Sequence, residues 1–149
     1  MEALGVAIAD ALGDRASLLA LSGELGTGKT TLARGLLRRL GVEGAIRSPT
    51  YTLIEPYDLH GRVVYHLDLY RVSDPEELDY MGVRDLLAER ALVLVEWPER
   101  GGRSMPAPDL ALAFSHAPPG RVVTLSGATS AGAAVLGLVR LPPGCAVLP

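Results

Sequence analysis

Apolar positions change period several times along the chain, and each change marks an element. Ser17-Leu18-Leu19-Ala20-Leu21 is a short continuous apolar run, broken by Gly23, of the kind a buried parallel strand requires. Beyond a glycine-rich stretch, Leu32, Ala33, Leu36, Leu37 and Leu40 recur at helical spacing. Arg34 and Arg38 fall off that stripe, and Gly41 supplies a stop. Val63 to Tyr70 switches to period two, with His66, Asp68 and Tyr70 on one face and Tyr65, Leu67 and Leu69 on the other. Ala91 to Val95 is apolar throughout, as in a central strand, and Trp97-Pro98 ends it. Asp109 to Ser115 and Arg121 to Ser126 read as strands. The connection between them, His116 to Gly120, is too short for a parallel crossover, so they should form an antiparallel hairpin. Ser130 to Val139 reads as an alanine-rich helix. Asp74-Pro75-Glu76-Glu77 is a helix start, with a capping residue, proline at the first helical position and glutamate at the third; no catalytic role is expected of it.

Composition narrows the class. The 149 residues are 48% hydrophobic and 21% charged, enough apolar surface for one globular domain, expected over residues 1–140, with 141–149 as an extended or mobile proline-rich tail. No internal repeat or long linker is visible. Fourteen basic residues against 17 acidic ones give a net charge of −3, which argues against strong unaided binding to nucleic acid or to an anionic membrane. Cys145 is the single cysteine, so neither an internal disulfide nor a cysteine zinc site can form. Met1-Glu2-Ala3 lacks the basic opening of a signal peptide, and the longest uncharged stretch, Val122 to Val139, is interrupted by Ser, Thr and Gly. A cytoplasmic protein is expected, with no membrane partner.

Candidate chemistry begins with lysine usage. Thirteen of the 14 basic residues are arginine and one is Lys29. The two are not interchangeable where a compact ammonium must reach phosphate oxygens inside a tight loop. Lys29 sits in such a loop: Gly23-Glu24-Leu25-Gly26-Thr27-Gly28-Lys29-Thr30 fills every fixed position of G-x-x-x-x-G-K-[ST]. In that motif backbone N–H groups close around phosphates, the lysine meets the β/γ oxygens and the hydroxyl ligates Mg²⁺. The order strand, glycine loop, helix aims the helix N-terminus at the anion. The expected fold class is therefore α/β: a three-layer P-loop NTPase fold with a mixed, mainly parallel central sheet and a C-terminal antiparallel hairpin.

Nucleotide chemistry also needs an acid for the metal or its waters. Glu96, at the end of the Ala91–Val95 run, and Asp68, on the alternating strand, are the two candidates; a plain strand-end acid and a strand-face salt bridge are their structural alternatives. His66 is expected to be structural rather than catalytic. In Ser48-Pro49-Thr50-Tyr51-Thr52, hydroxyls could sense phosphate in the manner of a switch segment, but Thr50 to Thr52 suit an ordinary strand equally well. A Ras-like guanine loop needs a second lysine, which favours ATP over GTP. A small-molecule kinase is the rival enzyme class. Its basic lid would have to come from Arg100 and Arg103, where Glu99 to Arg103 reads more simply as a flexible surface loop. A nucleotide-responsive binding module without significant turnover is the third class.

Five segments in this order carry a resemblance: Gly23 to Thr31, Ser48 to Leu53, His66-Leu67-Asp68-Leu69-Tyr70-Arg71, Asp74 to Leu78 and Val95-Glu96-Trp97-Pro98-Glu99. Together they resemble the bacterial TsaE (YjeE) family, ATPases of tRNA threonylcarbamoyladenosine biosynthesis, over about Leu4 to Val139. The resemblance implies an ATPase, weak alone, that supports TsaD and TsaB in transferring a threonylcarbamoyl group to the tRNA adenosine beside the anticodon, touching tRNA only through that complex. It implies ATP/ADP and Mg²⁺ as cofactors, with the phosphates on Glu24, Leu25, Gly26, Thr27, Gly28, Lys29 and Thr30, and Thr31 beside them. Mg²⁺ would fall to Thr30 and Glu96, a metal or water contact to Asp68, and catalysis to Lys29, Thr30, Asp68 and Glu96. Ser48, Thr50 and Trp97 would be nucleotide-responsive neighbours, and Arg121 matches a position near the nucleotide. Family members carry a segment before the first helix that helps hold the adenine, whereas this chain begins almost at that helix, so no adenine contact is assigned.

Overall fold

The computed structural model describes residues 1–15, 17–59, 61–88 and 91–147. Six strands form one sheet in the order β2-β3-β4-β1-β5-β6: β1 Leu18–Gly23, β2 Ile54–Leu59, β3 Arg62–Asp68, β4 Leu92–Glu96, β5 Leu110–Ala117 and β6 Gly120–Gly127. The central pairs β3·β4, β4·β1 and β1·β5 are parallel, and the outer pairs β2·β3 and β5·β6 are antiparallel. The sheet is thus mixed and mainly parallel, with the expected C-terminal hairpin.

Burial on both faces explains why the central strands read as continuous apolar runs. Alternate residues point to opposite sides. Leu19, Leu21, Leu92, Leu94, Leu110 and Leu112 meet the helices α1 (Glu2–Leu12), α2 (Lys29–Leu40) and α5 (Ser130–Leu138) on one face. Leu18, Leu67, Val93 and Val95 meet Leu78 of α3 (Glu76–Tyr80), Val83 of α4 (Val83–Ala88) and Met105 on the other. Three layers result. The helices α1 and α2 cross at close range, where a Cβ on Gly35 would lie 2.2 Å from the Glu2 carbonyl oxygen.

The start of α3 carries the expected reciprocal cap. Asp74 accepts from the Glu76 N–H, while Glu77 reaches back to accept from the N–H groups of Ser73 and Asp74, each at 2.9 Å. At α5 the Thr129 hydroxyl accepts from the Gly132 N–H at 3.1 Å.

One open alternative is decided and one expectation is corrected. Thr50 to Thr52 do not form a strand: Leu53 N–H closes a turn onto the Pro49 carbonyl at 2.6 Å, and the strand β2 starts only at Ile54. Pro56 sits in that strand because β2 lies at the sheet edge, where a missing N–H costs no ladder bond. Glu99 to Arg103 is not an open loop either. Pro98–Ser104 is a 3₁₀ segment with a kink at Gly102, and Gly101 is buried against Leu69, Leu78 and Met105. Of the tail, residues 141–147 carry no helix or strand, and 148–149 lie outside the described residues.

Candidate nucleotide site

The parallel strands β1, β3 and β4 end together, and their C-terminal edge faces the N-terminus of α2. The connection between β1 and α2 is the glycine loop. It enters the helix through Gly28, whose φ of 106° lies in the left-handed region that favours glycine. The Leu32 N–H then donates to the Gly28 carbonyl at 3.0 Å as the first helical bond. Thr27, fully buried, braces the turn by donating from its hydroxyl to the Glu24 carbonyl at 2.7 Å. The first N–H groups of α2 are left without intrahelical partners and converge on the cleft.

Lys29 is 5% exposed and folds back into its own loop, donating from Nζ to the carbonyls of Gly23 (2.6 Å) and Glu24 (2.8 Å), with the ammonium 4.0 Å from the centre of the Trp97 ring. Burial lowers its pKa below the usual lysine value, against the opposing pull of Glu96, Glu99 and Asp68. Trp97 reaches this place because its own backbone is left-handed, at φ 58° and ψ 48°, where the chain leaves β4. Tyr70 packs on it with ring centroids 5.0 Å apart.

Both candidate acids emerge on the α2 face of the sheet, because Asp68 and Glu96 are direct partners in the β3·β4 register. Each is buried and each is committed to hydroxyls. Glu96 Oε2 accepts from the Thr30 hydroxyl at 2.8 Å, and Oε1 lies 2.9 Å from His66 Nε2. Asp68 Oδ2 accepts from Ser48 (2.5 Å) and Thr50 (2.7 Å), whose hydroxyls are 3.0 Å apart, and Oδ1 accepts from the Tyr70 N–H at 3.0 Å. Neither acid forms a salt bridge with arginine or lysine among the described residues.

These groups enclose a cleft of about 310 Å³ lined by Leu25, Gly26, Gly28, Lys29, Thr30 and Thr31, by Ser48, Thr50 and Asp68, and by Tyr70, Glu96 and Trp97. The sequence-derived set is therefore assembled in one place with three exceptions. Thr27 is buried beneath the loop, its hydroxyl spent on the Glu24 carbonyl. Glu24 turns its carbonyl to the loop, while its side chain is exposed. Arg121 lies outside the lining: it is paired with His116 across the β5·β6 hairpin and donates to the Gly120 carbonyl, while His116 Nε2 lies 3.3 Å from the Leu25 carbonyl oxygen. Arg100 and Arg103 do not line the cleft. Tyr70 does line it, although the expected strand to Tyr70 stops at Asp68 and Tyr70 lies in the turn that follows.

Thr30, Glu96 and Asp68 offer the oxygen donors that a hard cation such as Mg²⁺ takes. No cluster of three or more His, Cys, Asp or Glu side chains suited to a metal is present among the described residues. That donor set fits an ion which receives the rest of its shell from phosphate and water.

Residues 1–123 match the family described as threonylcarbamoyl adenosine biosynthesis protein TsaE. This chain belongs to the TsaE family. Among its relatives is the tRNA threonylcarbamoyladenosine biosynthesis protein TsaE of Haemophilus influenzae, 42% identical over 119 residues that cover 80% of this chain and 75% of that one. The protein of the same name from Borreliella burgdorferi is 38% identical over 112 residues, covering 74% and 81%. The crystal structure of YdiB from Bacillus subtilis superposes with a TM-score of 0.75 at 24% identity, covering 91% of this chain and 84% of that one, and so shares the fold. The TsaE assignment agrees with the α/β P-loop architecture. No helix among the described residues is long and apolar enough to cross a membrane.

Proposed function

We propose that residues 1–140 form an ATPase domain that binds ATP with Mg²⁺ in the Lys29 cleft. It supports the threonylcarbamoyl modification of the adenosine beside the anticodon of tRNA in the cytoplasm, together with TsaD and TsaB. The observation that carries the nucleotide reading is the Thr30–Glu96 hydrogen bond beside the Lys29 loop: a P-loop hydroxyl and a strand-end carboxylate already share one spot. Family membership carries the pathway.

On this reading the α2 N–H groups and the Gly26 to Gly28 backbone bind the phosphates, and Lys29 leaves its two loop carbonyls to meet the β/γ oxygens. Thr30 and Glu96 hold Mg²⁺, which when bound offsets the charge developing on the phosphates. Asp68 holds Ser48 and Thr50 at the cleft, so that both hydroxyls are within reach of the γ-phosphate side. No arginine is among the described residues that line the cleft, which accords with slow turnover by the isolated chain. A partner would complete the site.

The test is phosphate release by the chain alone and with TsaD, TsaB and tRNA added. Slow basal hydrolysis that rises with the partners is expected. Absence of turnover in every combination would overturn the ATPase reading, and fast phosphorylation of a metabolite by the isolated chain would replace it with a kinase.

A further inference from the structure

Glu96 is held at both oxygens by two different elements. Thr30, on α2, bonds Oε2, and His66, on β3, meets Oε1 through Nε2. The β3·β4 register pairs His66 with Leu94, so the ring reaches Glu96 along the diagonal, two residues on. An ionised Glu96 can only accept at both oxygens, and with it the Nε2–H tautomer of His66 donates to Oε1. His66 is fully buried, and its Nδ1 has no hydrogen-bond partner among the described residues. An aliphatic side chain would fill the same place without desolvating a polar nitrogen. Among the described residues, the single polar contact of this buried ring is Glu96.

We propose that His66 is a positioning residue for Glu96: it tethers Oε1 so that Oε2 stays aimed at the Thr30 hydroxyl and at the place a divalent cation would take. This rests on the reading that Glu96 holds Mg²⁺. Freed of the tether, the carboxylate could turn toward the Lys29 ammonium, which already feels its charge. Hydrogen-bond partners behind ligating carboxylates commonly set metal affinity by about 10–100-fold.

The experiment measures the Mg²⁺ dependence of ADP binding by calorimetry for wild type, His66→Leu, His66→Gln and Glu96→Gln, with binding in EDTA as the reference. His66→Leu should raise the half-saturating Mg²⁺ concentration by about 10-fold or more, with ADP affinity in EDTA unchanged. His66→Gln should recover most of the loss, since its amide nitrogen is as many bonds from the backbone as Nε2. An unshifted Mg²⁺ dependence in His66→Leu overturns the proposal. So does an equal loss in both His66 variants that tracks their thermal stability, which would make the role one of packing. A Glu96→Gln variant with wild-type Mg²⁺ dependence would instead show that the metal reading itself has failed. A readout free of variant folding is the Nε2–H proton of wild-type His66 by NMR, expected to be protected from exchange; an unprotected proton overturns the tether.

Discussion

Thr30 in the first turn of α2 and Glu96 at the end of β4 are 66 positions apart in sequence and 2.8 Å apart in space. The bond joins the N-terminal end of a helix to the edge of a buried parallel sheet. Glu96 is buried, and both partners line the cleft beside the Lys29 loop.

Removing one side of this pair should separate binding from turnover. Glu96→Gln keeps the size and one acceptor oxygen but removes the charge, so hydrolysis should fall by about 100-fold or more while ATP still binds. Single-turnover hydrolysis and equilibrium binding, measured on the same preparation, check this. Loss of binding together with loss of the folded circular dichroism signal would make Glu96 a structural residue.

The crossing of α1 and α2 gives a prediction whose sign is informative. On an open helix Gly→Ala stabilises by about 1 kcal/mol. At Gly35 the added Cβ would lie 2.2 Å from the Glu2 carbonyl oxygen, and overpacking of that kind costs about 1–3 kcal/mol. Urea unfolding of Gly35→Ala should show net destabilisation; a stabilised variant would contradict the close contact of the two helices.

Asp109 ties the start of β1 to the start of α5. Its carboxylate accepts from the N–H groups of Ser17 (2.8 Å) and Leu18 (3.1 Å) and from the Thr129 hydroxyl (2.7 Å). Burial pushes its pKa up, but these three bonds outweigh it and hold the group below the usual aspartate value of 3.8. A carboxylate depressed in the folded state contributes stability above its unfolded pKa and loses it as pH falls through the folded one. Asp109→Asn should therefore be less stable than wild type at pH 7, by about 1 kcal/mol, and the gap should close below about pH 4. Melting curves at pH 7 and pH 3 check this; a gap that does not change with pH would assign the effect to packing.

The parts of this molecule that were legible in the sequence are those fixed by neighbours along the chain. Gly28 and Lys29 announce the loop because strand, glycines and helix follow one another directly, and Glu96 stands out because it ends an uninterrupted apolar run. Asp74 and Glu77 cap α3 through bonds that span two to four positions. What stayed hidden depends on register. His66 lies 30 positions before Glu96, and only the pairing of β3 with β4 brings its ring to that carboxylate. The Ser48 to Thr52 segment suits a strand by propensity, yet Asp68 draws two of its hydroxyls inward and the chain turns instead. Gly101 and Gly102 suggest a loose loop, but absence of a side chain at Gly101 is what lets Leu69, Leu78 and Met105 close over it. Glycine permits flexibility and tight packing alike, and composition does not say which applies.

Calorimetric titration of Mg·ATP into wild type and Lys29→Ala tests the central claim most directly. Lys29 is the chain's single lysine and lines the cleft, and a charge-assisted contact of this kind is worth about 1.5–3 kcal/mol. The variant should bind at least about 10-fold more weakly while melting as a folded protein. Equal affinity in the two proteins would contradict a nucleotide site at this loop.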